Sequence, residues 1–196
     1  MADKQFITEE QLIAESFRLG VQVYQSGFRP TFIVGLWRGG STVGIYVQEC
    51  LQYLGVKTDH IALRTSYSGR TEYGRMVDDP GRNIRVHGTQ YLLETLNSED
   101  RLLIVDDVCG SGWTFATVRQ RLAWRLRRNM PEACKMAAVW HKPDRNRSGI
   151  QPDFSVHTTE DWLVLPYELD GLTPEEIRLH KPVAAEGLAQ PAAEGP

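Results

Sequence analysis

Cysteine is scarce in this chain and never closely paired: Cys50, Cys109 and Cys134 are its only three, with no CxxC among them. That spacing argues against both a disulfide framework and a structural zinc site. Long apolar runs are missing too. None reaches the roughly 18 residues of a membrane-spanning helix, and the opening Met-Ala-Asp-Lys-Gln lacks the apolar stretch of a secretory leader. The expected setting is a reducing cytoplasm with no membrane partner. Surplus positive charge is also absent, for the formal net charge is −3. A surface devoted to nucleic acid is therefore not expected. No helix-turn-helix is legible and no internal repeat is present.

The sequence instead carries one concentrated signal. In residues 102–114, Leu-Leu-Ile-Val-Asp-Asp-Val-Cys-Gly-Ser-Gly-Trp-Thr, four apolar residues run into two acids, then a small-residue loop, then a helical pattern starting near Phe115. This reads as a buried strand, a turn and a helix. The loop from Gly110 to Thr114 can offer backbone N–H groups and two hydroxyls to an anion at a helix N-terminus. Asp106 and Asp107 would stand at the carboxyl end of the strand, where open α/β sheets bind ligands, and could hold vicinal ribose hydroxyls. Together these groups suit a ribose 5-phosphate.

The segment resembles the 5-phosphoribosyl 1-pyrophosphate (PRPP) signature of type I phosphoribosyltransferases: an acid pair, two apolar residues, a short hydroxyl-bearing loop with glycine, and a threonine. A second strand–loop–helix unit lies upstream. Residues 31–36 form a short apolar run, Trp37-Arg38-Gly39-Gly40 follows, and a helix is expected over 41–54. Glycines there admit a ligand close to the backbone, and Arg38 can fork onto phosphate oxygens. In the resemblance this loop, with Arg38 and Gly39, takes the pyrophosphate half of PRPP. Its Arg-Gly-Gly form is similar to that of the xanthine–guanine enzymes, with Trp37 where they more often have a small residue.

Around these two units the chain reads as α/β. A helix is expected over 8–24 with Thr8 as N-cap, a strand over 60–64, a short helix over 89–96, a helix over 115–128, and a strand over 135–140. The arginines between Arg119 and Arg128 are read as a solvated helix face. Thr173-Pro174 should cap and start one more short helix. Residues 65–88 are polar and poor in apolar periodicity, which suggests a functional lid or a β-hairpin. By resemblance Ser66-Tyr67 belongs to a lid over the reacting centre. The implied architecture is the type I phosphoribosyltransferase fold, a mainly parallel twisted sheet flanked by helices with a small hood from both chain ends. One domain is expected over 1–182, with the core about 31–142, the hood from 1–30 and 143–182, and a disordered tail over 183–196.

The resemblance also supplies a base pocket. Lys142 in Lys-Pro after a strand would donate to a purine 6-oxo oxygen, Trp162 would stack on the ring, and the Leu163 backbone would read its edge. Glu168 would stand near a second Mg²⁺, with Asp106 and Asp107 at the first. PRPP-binding residues would be Arg38, Gly39, Asp106, Asp107, Cys109, Gly110, Ser111, Gly112, Trp113 and Thr114, with catalysis assigned to Asp106, Asp107 and Arg38. The implied activity is phosphoribosyl transfer to hypoxanthine, guanine or xanthine by a homodimer or homotetramer using Mg²⁺. One position departs. Gly110 stands where 6-oxopurine enzymes commonly carry an Asp that exchanges a proton with the base, a function worth about 10² to 10⁴ in rate. Gly110 is compatible with another acceptor, or with a weakly active sensor of PRPP or nucleotide.

Overall fold

The computed structural model describes residues 4–67 and 84–189, which divide into two compact units. The larger spans residues 13–160 and contains a six-stranded sheet. Its strands are β2 (Phe32–Trp37), β3 (Asp59–Tyr67), β4 (Ile84–His87), β5 (Arg101–Cys109), β6 (Ala133–His141) and β7 (Phe154–Thr158), in the order β4-β3-β2-β5-β6-β7. All neighbours are parallel except β3 and β4, an antiparallel pair at one edge. Helices α1 (Glu9–Gln25, which begins in the other unit), α2 (Gly39–Tyr53), α3 (Gln90–Thr95) and α4 (Trp113–Leu126) connect the strands.

The strands form because their apolar residues serve two faces at once. Along β2, Phe32, Val34 and Leu36 join Leu102, Ile104, Phe115, Val118 and Leu122 in one buried cluster, which brings α4 onto the sheet. Ile33, Leu103 and Val105 are also fully buried, and α2 packs against both β2 and β5. Near-continuous apolar runs are what a parallel sheet covered on both faces requires. Thr8 caps α1 as its spacing suggests: its hydroxyl accepts from the Gln11 N–H at 3.1 Å while the Gln11 side chain accepts from the Thr8 N–H at 3.0 Å.

The smaller unit takes in residues 1–12 and 161–196. It contains a two-stranded parallel sheet of β1 (Lys4–Phe6) and β8 (Trp162–Val164), then α5 (Pro174–His180) and α6 (Pro182–Ala189). Thr173 and Pro174 start α5 as expected, with a reciprocal capping box between Thr173 and Glu176. Lys4 pairs with Glu176 at 2.7 Å, and Phe6 stacks on His180 with ring centroids 3.7 Å apart.

Four features depart from the sequence reading. Residues 1–12 group with 161–196, whereas most of α1, and β7 with it, groups with the core sheet. The strand after α2 runs past Arg64 to Tyr67 and pairs with β4, Ser66 opposite Arg85 and Tyr67 opposite Ile84, so Ser66-Tyr67 lies in a hairpin strand. Residues 68–83 of the expected lid lie outside the described residues. Residues 183–189 of the expected tail are helical, within α6, because alanine needs no bulky partner to favour a helix. Strand β7 has no counterpart in the sequence reading, although Phe154 and Val156 alternate with Ser155 and His157.

Ile104 is completely buried on the central strand. Ile104→Ala should lower unfolding free energy by about 2–5 kcal/mol in a denaturant titration; a loss under about 1 kcal/mol would mean that β5 is not the centre of the core.

Candidate functional site

Both sequence motifs reach the carboxyl edge of the six-stranded sheet. Chain leaving β2 turns through α2 to β3 on one side, while chain leaving β5 turns through α4 to β6 on the other. The crevice between β2 and β5 is thus the switch point at which doubly wound sheets bind ligands. Arg38, exposed at the end of β2, starts the first loop; the Trp37–Arg38 peptide is cis and Trp37 is 59% exposed. The second loop follows Cys109, whose register partner on β6 is His141.

These loops touch through a glycine. A Cβ on Gly40 would lie 2.3 Å from the Val105 carbonyl oxygen and 2.8 Å from the Asp106 Cα. Only a residue without a side chain lets α2 begin so close to β5, and the Gly40 N–H donates to the Asp106 carboxylate. Asp106 also accepts from the Asp107 N–H at 3.1 Å, and Asp107 from the Val108 N–H at 2.7 Å. Withdrawal from water, then the charge of Asp107, hold the Asp106 carboxyl well above the usual carboxylate range. A group that shares or neutralises this charge is favoured there, as ribose hydroxyls or a cation would be.

The small-residue loop is shaped by a second glycine. Gly112 has φ +77°, and its Cβ would lie 2.3 Å from the Ser148 Oγ and 2.7 Å from the Ile150 carbonyl oxygen. A polar turn after β6 clasps the loop from that side: the Arg147 and Ser148 N–H groups donate to the Ser111 carbonyl at 3.0 and 3.1 Å. The Lys142 N–H donates to the Cys109 carbonyl at 2.9 Å. Meanwhile the backbone N–H groups of Ser111 and Gly112 meet no acceptor among the described residues. With α4 beginning at Trp113, these donors stand at a helix N-terminus, a position that favours anions.

Each expected residue has a definite place. Gly39 starts α2 and Thr114 lies in the first turn of α4. Trp113 opens α4, its indole Nε1 buried without a partner among the described residues. Cys109 is a core residue, and burial, then Asp106, pushes its thiol up to about 12, so it is no nucleophile near neutrality. Gly110 faces open space, and a Cβ added there would meet no heavy atom within 4 Å. Lys142 is buried at the end of β6. Trp162, Leu163 and Glu168 belong to the smaller unit, with Trp162 exposed, Leu163 buried and Glu168 accepting from the Leu165 N–H at 3.0 Å. Ser66 meets the His87 Nε2 at 3.1 Å.

Sequence reasoning missed three contributors. Gly40 is legible only as one of two turn glycines until its contact with Asp106 is seen. Ser41 presents a buried hydroxyl with no partner among the described residues. The clasp over 146–150 carries no signal beyond a polar Asn-Arg-Ser-Gly turn. Among the described residues no group of three or more metal-ligating side chains converges. Two carboxylates beside a chelating diphosphate nevertheless suit Mg²⁺, which keeps much of its water and takes few protein ligands.

No protein-family model and no curated protein matches the sequence. Solved structures do match. A purine phosphoribosyltransferase from Pyrococcus horikoshii Ot3 aligns over 87% of this chain and 97% of its own, with TM-score 0.64 and 22% identity. A hypothetical protein from Neisseria gonorrhoeae with bound ppGpp aligns over 95% and 98%, with TM-score 0.69 and 17% identity. The xanthine-guanine-hypoxanthine phosphoribosyltransferase of Helicobacter pylori covers 91% and 100%, with TM-score 0.62 and 15% identity. The chain has the type I phosphoribosyltransferase fold.

The raised Asp106 carboxyl carries a stability cost with a definite pH sign. Its contribution is most favourable below the ordinary carboxylate range, where the group is protonated folded or unfolded, and is lost as pH rises through the folded value. Asp106→Asn should therefore raise the unfolding midpoint by about 2–4 °C at pH 7, with the gain shrinking toward pH 3, in paired calorimetric scans. A lower midpoint at pH 7 would contradict the assigned cost.

Proposed function

We propose that this chain transfers the 5-phosphoribosyl group of PRPP to a 6-oxopurine base, hypoxanthine, guanine or xanthine, and releases pyrophosphate. The observation that carries the reading is the meeting of Gly40 with Asp106, which joins a pyrophosphate-type loop to a ribose-type acid pair at the switch point. The purine-acting proteins among the structural neighbours support the choice of acceptor.

In this reading Arg38, Gly39 and the start of α2 hold the pyrophosphate half of PRPP, and Arg38 offsets charge gathering on the leaving group. Ser111, Gly112, Trp113 and Thr114 seat the 5-phosphate at the N-terminus of α4. Cys109 and Gly110 shape the wall between phosphate and ribose, and Asp106 and Asp107 orient the ribose hydroxyls. The base nitrogen forms a bond to C1 as the bond from C1 to the pyrophosphate oxygen breaks, and the base then gives up its proton to water, Gly110 offering no side chain to accept it. Lys142 would donate to the 6-oxo oxygen, Ser66 and Tyr67 would help cover the centre, and from the smaller unit the resemblance assigns Trp162 to stack on the ring and the Leu163 backbone to read its edge. Asp106 and Asp107 would hold Mg²⁺, which would neutralise diphosphate charge, and Glu168 would stand near a second ion. The chain acts in the cytoplasm as a homodimer or homotetramer, its exposed Trp37 suiting a contact through the loop after β2.

A specific observation favours a second reading. Gly110 offers no ionisable group to the base, and the Neisseria gonorrhoeae neighbour holds ppGpp. A slow enzyme serving as a nucleotide sensor would fit both.

The test is pyrophosphate release from PRPP and Mg²⁺ with hypoxanthine, guanine, xanthine, adenine, uracil and orotate in parallel. Turnover on a 6-oxopurine is expected. Open space around Gly110 admits an aspartate, so Gly110→Asp should raise kcat on that base by about 10². Tight PRPP or ppGpp binding with no turnover on any base would overturn the transferase reading in favour of the sensor.

A further inference from the structure

A cavity of about 420 Å³ lies at the opposite, amino edge of the six-stranded sheet, lined by residues that precede or open β2, β3 and β5. Strand β2 is six residues long, so this edge stands roughly 20 Å from the carboxyl edge. Three lining side chains are cations, Arg29, Lys57 and Arg101, and no Asp or Glu lines the cavity. None of the three is ion-paired among the described residues. In a chain of net charge −3, three such cations around one concavity are not a by-product of general basicity.

The two arginines are held in place. Arg29 stacks 3.9 Å from the Tyr24 ring centroid and donates to the Tyr24 and Phe28 carbonyls at 2.6 and 3.1 Å. Arg101 donates through Nε to the Arg29 carbonyl, and its N–H donates to the Thr31 hydroxyl at 3.0 Å. The nearest acid in sequence, Asp100, is occupied by the Thr31 hydroxyl and the Asn97 N–H. Capping the end of α1 accounts for part of Arg29. It accounts for neither Lys57 nor the terminal nitrogens of Arg101, which meet no acceptor among the described residues.

We propose that this amino-edge cavity is a binding site for a di- or triphosphate group, with Arg29, Lys57 and Arg101 as its cationic lining. Preset guanidinium forks lose little freedom on meeting phosphate oxygens. The volume exceeds what an orthophosphate needs and suits a polyphosphate chain, free or as the tail of a nucleotide. A ligand there touches the starts of β2 and β5, the two strands whose far ends carry the acid pair and Arg38. The site stands whether or not the chain transfers phosphoribosyl groups.

The test is calorimetric titration of the full chain at low salt with inorganic triphosphate and, separately, GTP, using wild type, Arg38→Ala, and Arg38→Ala combined with Lys57→Ala or with Lys57→Ala/Arg101→Ala. Arg38→Ala weakens phosphate binding at the pyrophosphate loop of the carboxyl edge and leaves the loop before α4 unchanged, so the share of binding that Lys57→Ala removes in that background reports the new site. Lys57 is exposed and makes no contact that folding needs, which keeps that variant informative. In the Arg38→Ala background the affinity should fall about tenfold with Lys57→Ala and further with the pair. Equal affinity for the two probes assigns the free polyphosphate, and tighter GTP assigns the nucleotide. No binding at millimolar probe, or binding abolished by Arg38→Ala or untouched by Lys57→Ala, would overturn the proposal without bearing on the pyrophosphate-release assay.

Discussion

The site depends on one close approach, the Gly40 backbone against Val105 and Asp106. Because no Cβ fits there, α2 can start directly on the end of β5, and two helix N-termini meet at one edge of the sheet. Helix N-termini attract anions, and here the α2 and α4 starts flank two carboxylates. That opposition of sign has a chemical use. A ligand with phosphates at both ends and hydroxyls in the middle satisfies both helix starts and the acid pair together, and few other ligand shapes do.

Holding Asp106 beside Asp107 costs stability in the free protein, since withdrawal from water and mutual repulsion both oppose the second charge. The core is what tolerates it. Leu102 to Val105 on β5 are fully buried, with helices packed on both faces, so the strand carrying the acids is held inside the sheet. The clasp on Gly112 and Ser111 does the same for the loop, fixing donors in place before any ligand arrives. The amino-edge cavity follows a different rule, lined by three cations that meet no carboxylate among the described residues.

Much of this was legible in the sequence. The run from Leu102 into Asp106 and Asp107, the glycine turn after Leu36 and the Thr8 and Thr173 caps all announce themselves locally, because each depends on residues within one turn or strand. What stayed hidden depends on partners far along the chain. Gly40 is a turn glycine until Asp106 is set against it, and Gly112 needs Ser148 and Ile150 to explain its backbone. Ser66 and Tyr67 read as lid because their strand partner, Ile84 to His87, is short and set apart by polar sequence. The α6 helix was obscured because alanine-rich, hydrophobe-poor composition suits both a helix and a disordered tail. Arg29, Lys57 and Arg101 are spread over three connections, so nothing local suggests that they share a cavity.

The central claim is that Arg38, the α2 start, the acid pair and the loop before α4 act on one PRPP molecule. Hydrogen–deuterium exchange of the full chain with and without PRPP and Mg²⁺ tests it most directly. The account predicts slowed exchange at residues 38–41 and 110–114 together, lost together in Asp107→Asn. Protection of only one of the two loops, or of neither while PRPP binds elsewhere, would contradict it.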